Sequence, residues 1–167
     1  AYRYYALSAD PDIIDVYINS PTPREILIIP LMAGGTIPDE ETMKKITDAV
    51  SADDVRALTD VLTVKAPEQV TYDINIKYYC TMENEADAIT TVEATGGALD
   101  KYKEWQSGAL GRDINPDQLR KMILAPSSGN EVVERVDVVS PTFTEISGEK
   151  VAKFSGTLTV SHELIDR

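Results

Sequence analysis

The sequence has one cysteine, one histidine, one tryptophan and two phenylalanines in 167 residues. Cys80 alone permits no internal disulfide and no cysteine-based zinc site. His162 alone leaves little material for a metal site or a Ser-His-Asp triad. Basic residues are also scarce. Lys and Arg number 16 against 28 Asp and Glu, a formal charge of −12. A surface for nucleic-acid phosphates or anionic lipid needs the opposite balance, so neither partner is expected. No run approaches the roughly 18 consecutive apolar residues of a membrane span. The longest candidate, Ile26 to Met32, is strand-length. Ala1 to Leu7 lacks the apolar region of a secretory signal, and none is expected there. What is present is ordinary for a globular chain, with 43% hydrophobic and 26% charged residues. That excludes a disordered, collagen-like or coiled-coil chain, and the length suits one domain or two small ones.

The strongest strand signal runs over 69–81. Val70, Tyr72, Ile74, Ile76, Tyr78 and Cys80 alternate with polar residues and Tyr79. Residues 61–66 also read as strand. Pro67 cannot donate to a ladder, so it belongs in the connection, and an antiparallel hairpin is expected. The same grammar recurs at both ends: strands over 13–20 and 25–32 about Ser20-Pro21-Thr22-Pro23, and strands over 132–140 and 151–161 after Ser140-Pro141-Thr142. Ser, Pro, Thr, Glu and Ile match at the same offsets in the two turns, which suggests a repeated unit.

Helices alternate with these strands. Asp39 caps a helix over about 39–51, with acids in its first turn. Asn115 caps another over 116–125, with Pro116 at its first position and Gln118 placed to complete a capping box. A longer helix is expected over 85–107, where Gly96-Gly97 marks a kink or a close backbone approach. This order predicts an α+β chain of two subdomains, 1–83 and 84–167. Each would pair helices with a mostly antiparallel sheet or hairpins.

No catalytic arrangement stands out. G-x-S-x-G, H-E-x-x-H, a P-loop and G-x-G-x-x-G after a strand are all missing. The acids at Asp10/Asp12/Asp15 and Glu83/Glu85/Asp87 lack a calcium-loop pattern. His162 reads as a surface residue, Cys80 as a buried inert thiol, and Trp105 as a core anchor beside Leu99 and Tyr102. No catalytic, cofactor or metal residue is assigned, and no cofactor or small-molecule substrate is expected. The eight tyrosines are more informative, because tyrosine suits protein–protein contacts. Tyr2, Tyr4, Tyr5 and Tyr79, together with Arg56 and Trp105, are the candidate contact residues.

The order of the pieces resembles a family. Tyr4-Tyr5-Ala6-Leu7-Ser8-Ala9-Asp10 is followed by Ser20-Pro21-Thr22-Pro23. Then come Val55-Arg56-Ala57-Leu58-Thr59-Asp60, Tyr102-Lys103-Glu104-Trp105-Gln106 and Leu110-Gly111-Arg112-Asp113-Ile114. Together they resemble the C-terminal part of the baseplate J-like proteins of contractile phage tails and tailocins. Val55 to Asp60 resembles that family's V-R-P-L-T-D, with Ala57 in place of proline. Two departures stand out. Pro23-Arg24 replaces a Pro-Gly, which weighs against a tight glycine turn, and Ser127 to Asn130 reads as a longer, looser connection than the family's Gly-Val.

The resemblance implies a structural role without an active site, in a baseplate wedge of a virion or tailocin particle assembled in the bacterial host cytoplasm. Its implied partners are itself, as a homodimer or ring, and other baseplate wedge proteins. The implied task is assembly and transmission of the baseplate's rearrangement. It also implies that Ala1-Tyr2-Arg3-Tyr4 lies within a longer chain. Two further readings compete: a host-surface or carbohydrate-binding module, with an aromatic-lined pocket, and a carboxylate-based hydrolase.

Overall fold

The computed structural model describes residues 1–52 and 54–166. In chain order its elements are α1 (Tyr2–Ser8), β1 (Ile13–Asn19), β2 (Glu25–Met32), α2 (Glu40–Ser51), β3 (Val61–Val64), β4 (Glu68–Val70), β5 (Ile74–Cys80), α3 (Glu85–Glu93), α4 (Ala98–Gln106), α5 (Pro116–Leu124), β6 (Arg135–Ser140), β7 (Lys150–Ala152) and β8 (Leu158–Leu164). The class is α+β. No helix among the described residues is long and apolar enough to cross a membrane.

The chain forms two compact units that are discontinuous in sequence. The first holds 1–70, 107–112 and 146–152, and the second holds 71–106, 113–145 and 153–167. The segment 69–81, placed in the first half by its sequence, therefore supplies β4 to one unit and β5 to the other.

The first unit is built on the sheet β1-β2-β3, with β1 antiparallel and β3 parallel to β2. Helices α1 and α2 cover one face, where Ala6, Val16, Ile28, Ile46 and Val50 form the core. Ile13 joins them although it lies three residues from Val16. A bulge between Ile13 and Asp15 shifts the register and returns Ile13 to that face. The opposite face of β2 is equally dry, since Ile29 and Leu31 are fully buried. Their cross-strand partners Tyr17 and Asp15 meet the two returning segments. The Leu110 N–H donates to Asp15 at 3.0 Å, and a Cβ at Gly148 would stand 2.5 Å from the Tyr17 ring. The short parallel pair β4–β7 completes the unit. Arg24 adopts φ 74°, so the glycine-type turn forms with an arginine in it.

The second unit is built on the sheet β6-β5-β8. β5 is antiparallel to β6 and parallel to β8. Ile74, Ile76, Tyr78 and Cys80 are buried at alternate positions. The other core residues come largely from helices: Ala88 and Val92 of α3, Leu99 and Tyr102 of α4, Leu119 and Ile123 of α5.

Several expectations need correction. The hairpin of 61–66 with 69–81 does not form, because β3 pairs with β2 while β4 and β5 pair elsewhere. The long strand is interrupted at 71–73, where side chains bracket a neighbouring loop. Thr71 accepts the Ser155 N–H at 2.9 Å and Asp73 the Thr157 N–H at 2.8 Å. Each three-stranded sheet mixes one antiparallel with one parallel pairing rather than being mostly antiparallel. The helix over 85–107 is two helices, α3 and α4, parted at Gly96 with φ 79°. Asp39 and Asn115 do cap their helices, accepting from Thr42 and Asp117. The capping box is not closed by Gln118: the Asn115 N–H donates instead to the buried Gln106 at 2.9 Å. Ser127 to Asn130 closes as a tight turn with reciprocal backbone bonds of 2.8 and 2.9 Å. The two Ser-Pro-Thr segments also differ: the first leads straight into β2, whereas Thr144 after the second makes an isolated bridge with Ile114.

Gly156 is held by a close approach. A Cβ there would lie 2.4 Å from the Tyr72 carbonyl oxygen and 2.3 Å from Asp73 Oδ1. Backbone cannot yield as a side-chain tip can, so Gly156→Ala should lower stability by about 1–3 kcal/mol in urea unfolding.

Candidate interaction surfaces

The candidate contact residues divide between the two units. In the first, α1 is laid down by Ala6, which is fully buried, and pinned by Tyr2. The Tyr2 hydroxyl donates to Asp60 at 2.5 Å and accepts the Ala57 N–H at 3.2 Å. Two members of the Val55–Asp60 motif are thus fasteners for α1. Burial and the bond to Asp60 raise the Tyr2 phenol above its ordinary value. Tyr4 and Tyr5 turn outward, 68% and 37% exposed, with rings edge-on at 5.2 Å. Arg56 is exposed. Next to it in the motif, Leu58 is 96% exposed. Sequence reasoning passed over Leu58, although an apolar residue between a proline-type turn position and Thr59-Asp60 was the available signal.

In the second unit, Tyr79 lies on the sheet face opposite the helices. Its hydroxyl donates to Asp137 at 2.8 Å, and the Arg135 guanidinium sits 3.8 Å from its ring centre. Arg135 also pairs with Asp137 at 2.9 Å, and Lys77 with Glu163 at 2.6 Å. That face is a ladder of matched charges around a ring, which the sequence could not reveal without the pairing of β5 with β6 and β8. Trp105 is half-buried and stacks on Tyr102 at 6.2 Å. Tyr102 in turn meets Tyr72 edge-on at 5.9 Å, and Tyr72 meets Phe154 at 5.5 Å. Trp105 therefore belongs to an aromatic cluster of its unit.

Gln106, the last residue of Tyr102–Gln106, is fully buried and satisfied. Its amide nitrogen donates to the Asp113 carbonyl at 3.1 Å, and its oxygen accepts the Asn115 N–H and faces the Tyr102 hydroxyl at 2.8 Å. It thereby ties α4 to the end of the Leu110–Ile114 piece.

The side chains best suited to acid–base or nucleophilic work are otherwise engaged. Cys80 is buried, and burial with nearby Glu85 raises its thiol, which keeps it protonated. His162 is half-buried rather than a surface residue. It sits 2.9 Å from Glu85 and stacks on Tyr78 at 5.2 Å. Tyr78 itself donates to Glu93. Among the described residues, no group of three or more His, Cys, Asp or Glu is placed to hold a metal ion. One cleft of about 410 Å³ is lined by Thr90, Gly97, Lys101, Met122 and their neighbours, and another of about 520 Å³ by Glu83, Asp87, Glu131 and neighbours. No aromatic ring lines either one.

Residues 1–66 match the family model described as the Baseplate J-like central domain. Over 155 residues the chain is 28% identical to baseplate protein J of Escherichia phage P2, covering 92% of this chain and 49% of that protein. These two matches support a baseplate J-like family for the chain. It spans about half the length of the curated relative it matches. A solved chain in the six-fold symmetrised cryo-EM structure of the anti-feeding prophage baseplate has the same fold. The TM-score is 0.52 at 16% identity, over 93% of this chain and 36% of that one.

Two outcomes are expected. Tyr2→Phe removes the bonds to Asp60 and Ala57 and should cost roughly 1–2 kcal/mol by urea unfolding. Burial also raises the phenols of Tyr72, Tyr78 and Tyr102 well above 10.0. The unfolded chain ionises near 10.0, where the folded chain keeps its protons. The stability these groups contribute is therefore full below that pH and falls above it. Phenolate absorbance from the three should accordingly rise together with unfolding in an alkaline titration.

Proposed function

We propose that this chain is a structural component of a contractile-tail baseplate wedge, housed in a virion or tailocin particle and working through protein contacts rather than chemistry. The observation that carries this reading is the relationship to baseplate protein J of phage P2 across nearly all of the chain. The physical arrangement supports it. Each unit has its own core, so each can move as a body and carry a rearrangement between neighbours. Tyr4, Tyr5, Arg56 and Leu58 offer exposed apolar area with polar handles in the first unit. Tyr79 with Arg135 offers a smaller charged face in the second. The partners in this reading are other baseplate proteins and copies of the chain itself, as a homodimer or ring. The charge of −12 keeps the free chain soluble until partners cover it. Buried Cys80 and engaged His162 accord with a non-enzymatic role.

The test uses particles purified from the producing cell. An epitope beside Leu58 should appear at the baseplate end of the tail in labelled electron micrographs. Leu58→Asp, at a position 96% exposed, should leave stability within about 0.5 kcal/mol while reducing recovery of the chain in assembled particles. Purified particles that lack the chain, or carry the label elsewhere, would refute the reading.

A further inference from the structure

The second unit leaves one sheet edge bare. The edge of β6 is partly covered, since Arg120 from α5 donates to the Val136 carbonyl at 2.9 Å. Among the described residues, β8 has β5 on one side and no strand on the other. It also lacks the lysine or proline that commonly blunts an open edge.

The hydrogen bonding of β8 fixes which groups face outward. Ile74 N–H donates to the Thr157 carbonyl, and Ile165 N–H donates to the Cys80 carbonyl. With Ile74 level with Leu158 and Cys80 level with Leu164, this pattern turns the backbone of Thr159, Ser161 and Glu163 toward β5. The N–H and C=O groups of Leu158, Val160, His162 and Leu164 point to the open edge. At its two ends stand exposed apolar side chains, Leu158 at 45% and Leu164 at 40%.

The geometry points to this edge as a two-fold contact with a second copy of the chain, β8 against β8 in the antiparallel register centred on Ser161. That register sets Leu158 opposite Leu164 of the second copy and Val160 opposite His162. All of these are residues whose backbone groups face outward, and each such pair exchanges both of its hydrogen bonds. The exposed leucines cover each other at both ends. Glu163 faces Thr159, and the only residue to face itself is Ser161. Sliding by one step centres the axis on His162, and by two on Glu163, where like charges would oppose each other. Both slides also leave outward groups unpaired. The pattern is thus self-complementary, which a strand meant for a different partner does not require. The two three-stranded sheets would become one continuous sheet.

This inference rests on the assembly role proposed above and adds the surface through which copies meet. The edge is short, so association should depend on concentration. Sedimentation equilibrium of the full chain should show a species of twice the 18.3 kDa monomer mass as concentration rises. Leu158→Glu with Leu164→Glu sets like charges opposite and should abolish that species. Leu158→Glu with Leu164→Lys sets opposite charges together and should restore it. Both positions are exposed, so circular dichroism should be unchanged in each variant. Ser161→Cys should form a disulfide-linked dimer under mild oxidation, because a non-hydrogen-bonded antiparallel pair brings the two Cα atoms to about 4.5 Å. Thr159→Cys and Glu163→Cys should not. A monomer at all concentrations, equal behaviour of the two double variants, or equal cross-linking at all three positions would overturn the β8 contact. A monomer that still enters particles would do so while leaving the baseplate role intact.

Discussion

Each unit depends on one strand that must be dry on at least one face. In the first it is β2, where Ile28 and Leu31 point to opposite faces and both are fully buried. In the second it is β5, with Ile74, Ile76, Tyr78 and Cys80 inward. Burying a large aliphatic side chain contributes on the order of 1.5–3 kcal/mol, so these strands outweigh any surface pairing around them. Everything else covers them. α1 and α2 close one face of β2 and the returning segments close the other. α3, α4 and α5 supply most of the cover for β5.

The motif pieces do their work inside the chain. Asp60 of Val55–Asp60 holds Tyr2, and Gln106 of Tyr102–Gln106 holds the start of α5. Leu110 of Leu110–Ile114 holds Asp15 on β1. What such motifs share is therefore the placement of backbone, since each polar side chain satisfies a specific N–H, C=O or hydroxyl. The neighbours Arg56 and Leu58 are exposed and belong to the outer surface. This separates the residues that make the fold from those that offer contacts, within a motif of six consecutive residues.

Much of the local structure was legible in the residues. Strand-length apolar segments about the Ser20–Pro23 turn located β1 and β2, alternation located β5, and the caps at Asp39 and Asn115 located α2 and α5. Gly96-Gly97 marked a kink within one expected helix, where the structure has a full break between α3 and α4. The role of Gln106 was not legible, because a glutamine at the end of a helix gives no sign that a distant N–H needs it. Tyr79 stands on the opposite strand face from Tyr78 and so reads as a contact residue, but its guard of Arg135 and Asp137 arises only from the pairing of β5 with β6. His162 looked peripheral in sequence and is drawn inward because the pairing of β8 sets it level with Tyr78.

The sequence by itself determined where β1, β2, α2 and α5 lie and which face of β5 is apolar, because periodicity and caps are local, but it did not announce α1 or the division of 69–81 and 85–107 into two elements each. Its scarcity of cysteine, histidine and basic residues also limited the chemistry in advance. Only the tertiary structure decided that β3 runs parallel to β2, that β8 runs parallel to β5, and that both units are discontinuous. Those choices are made by backbone N–H and C=O groups. Every residue but proline carries them alike, so the partner of a strand leaves no mark on its own side chains.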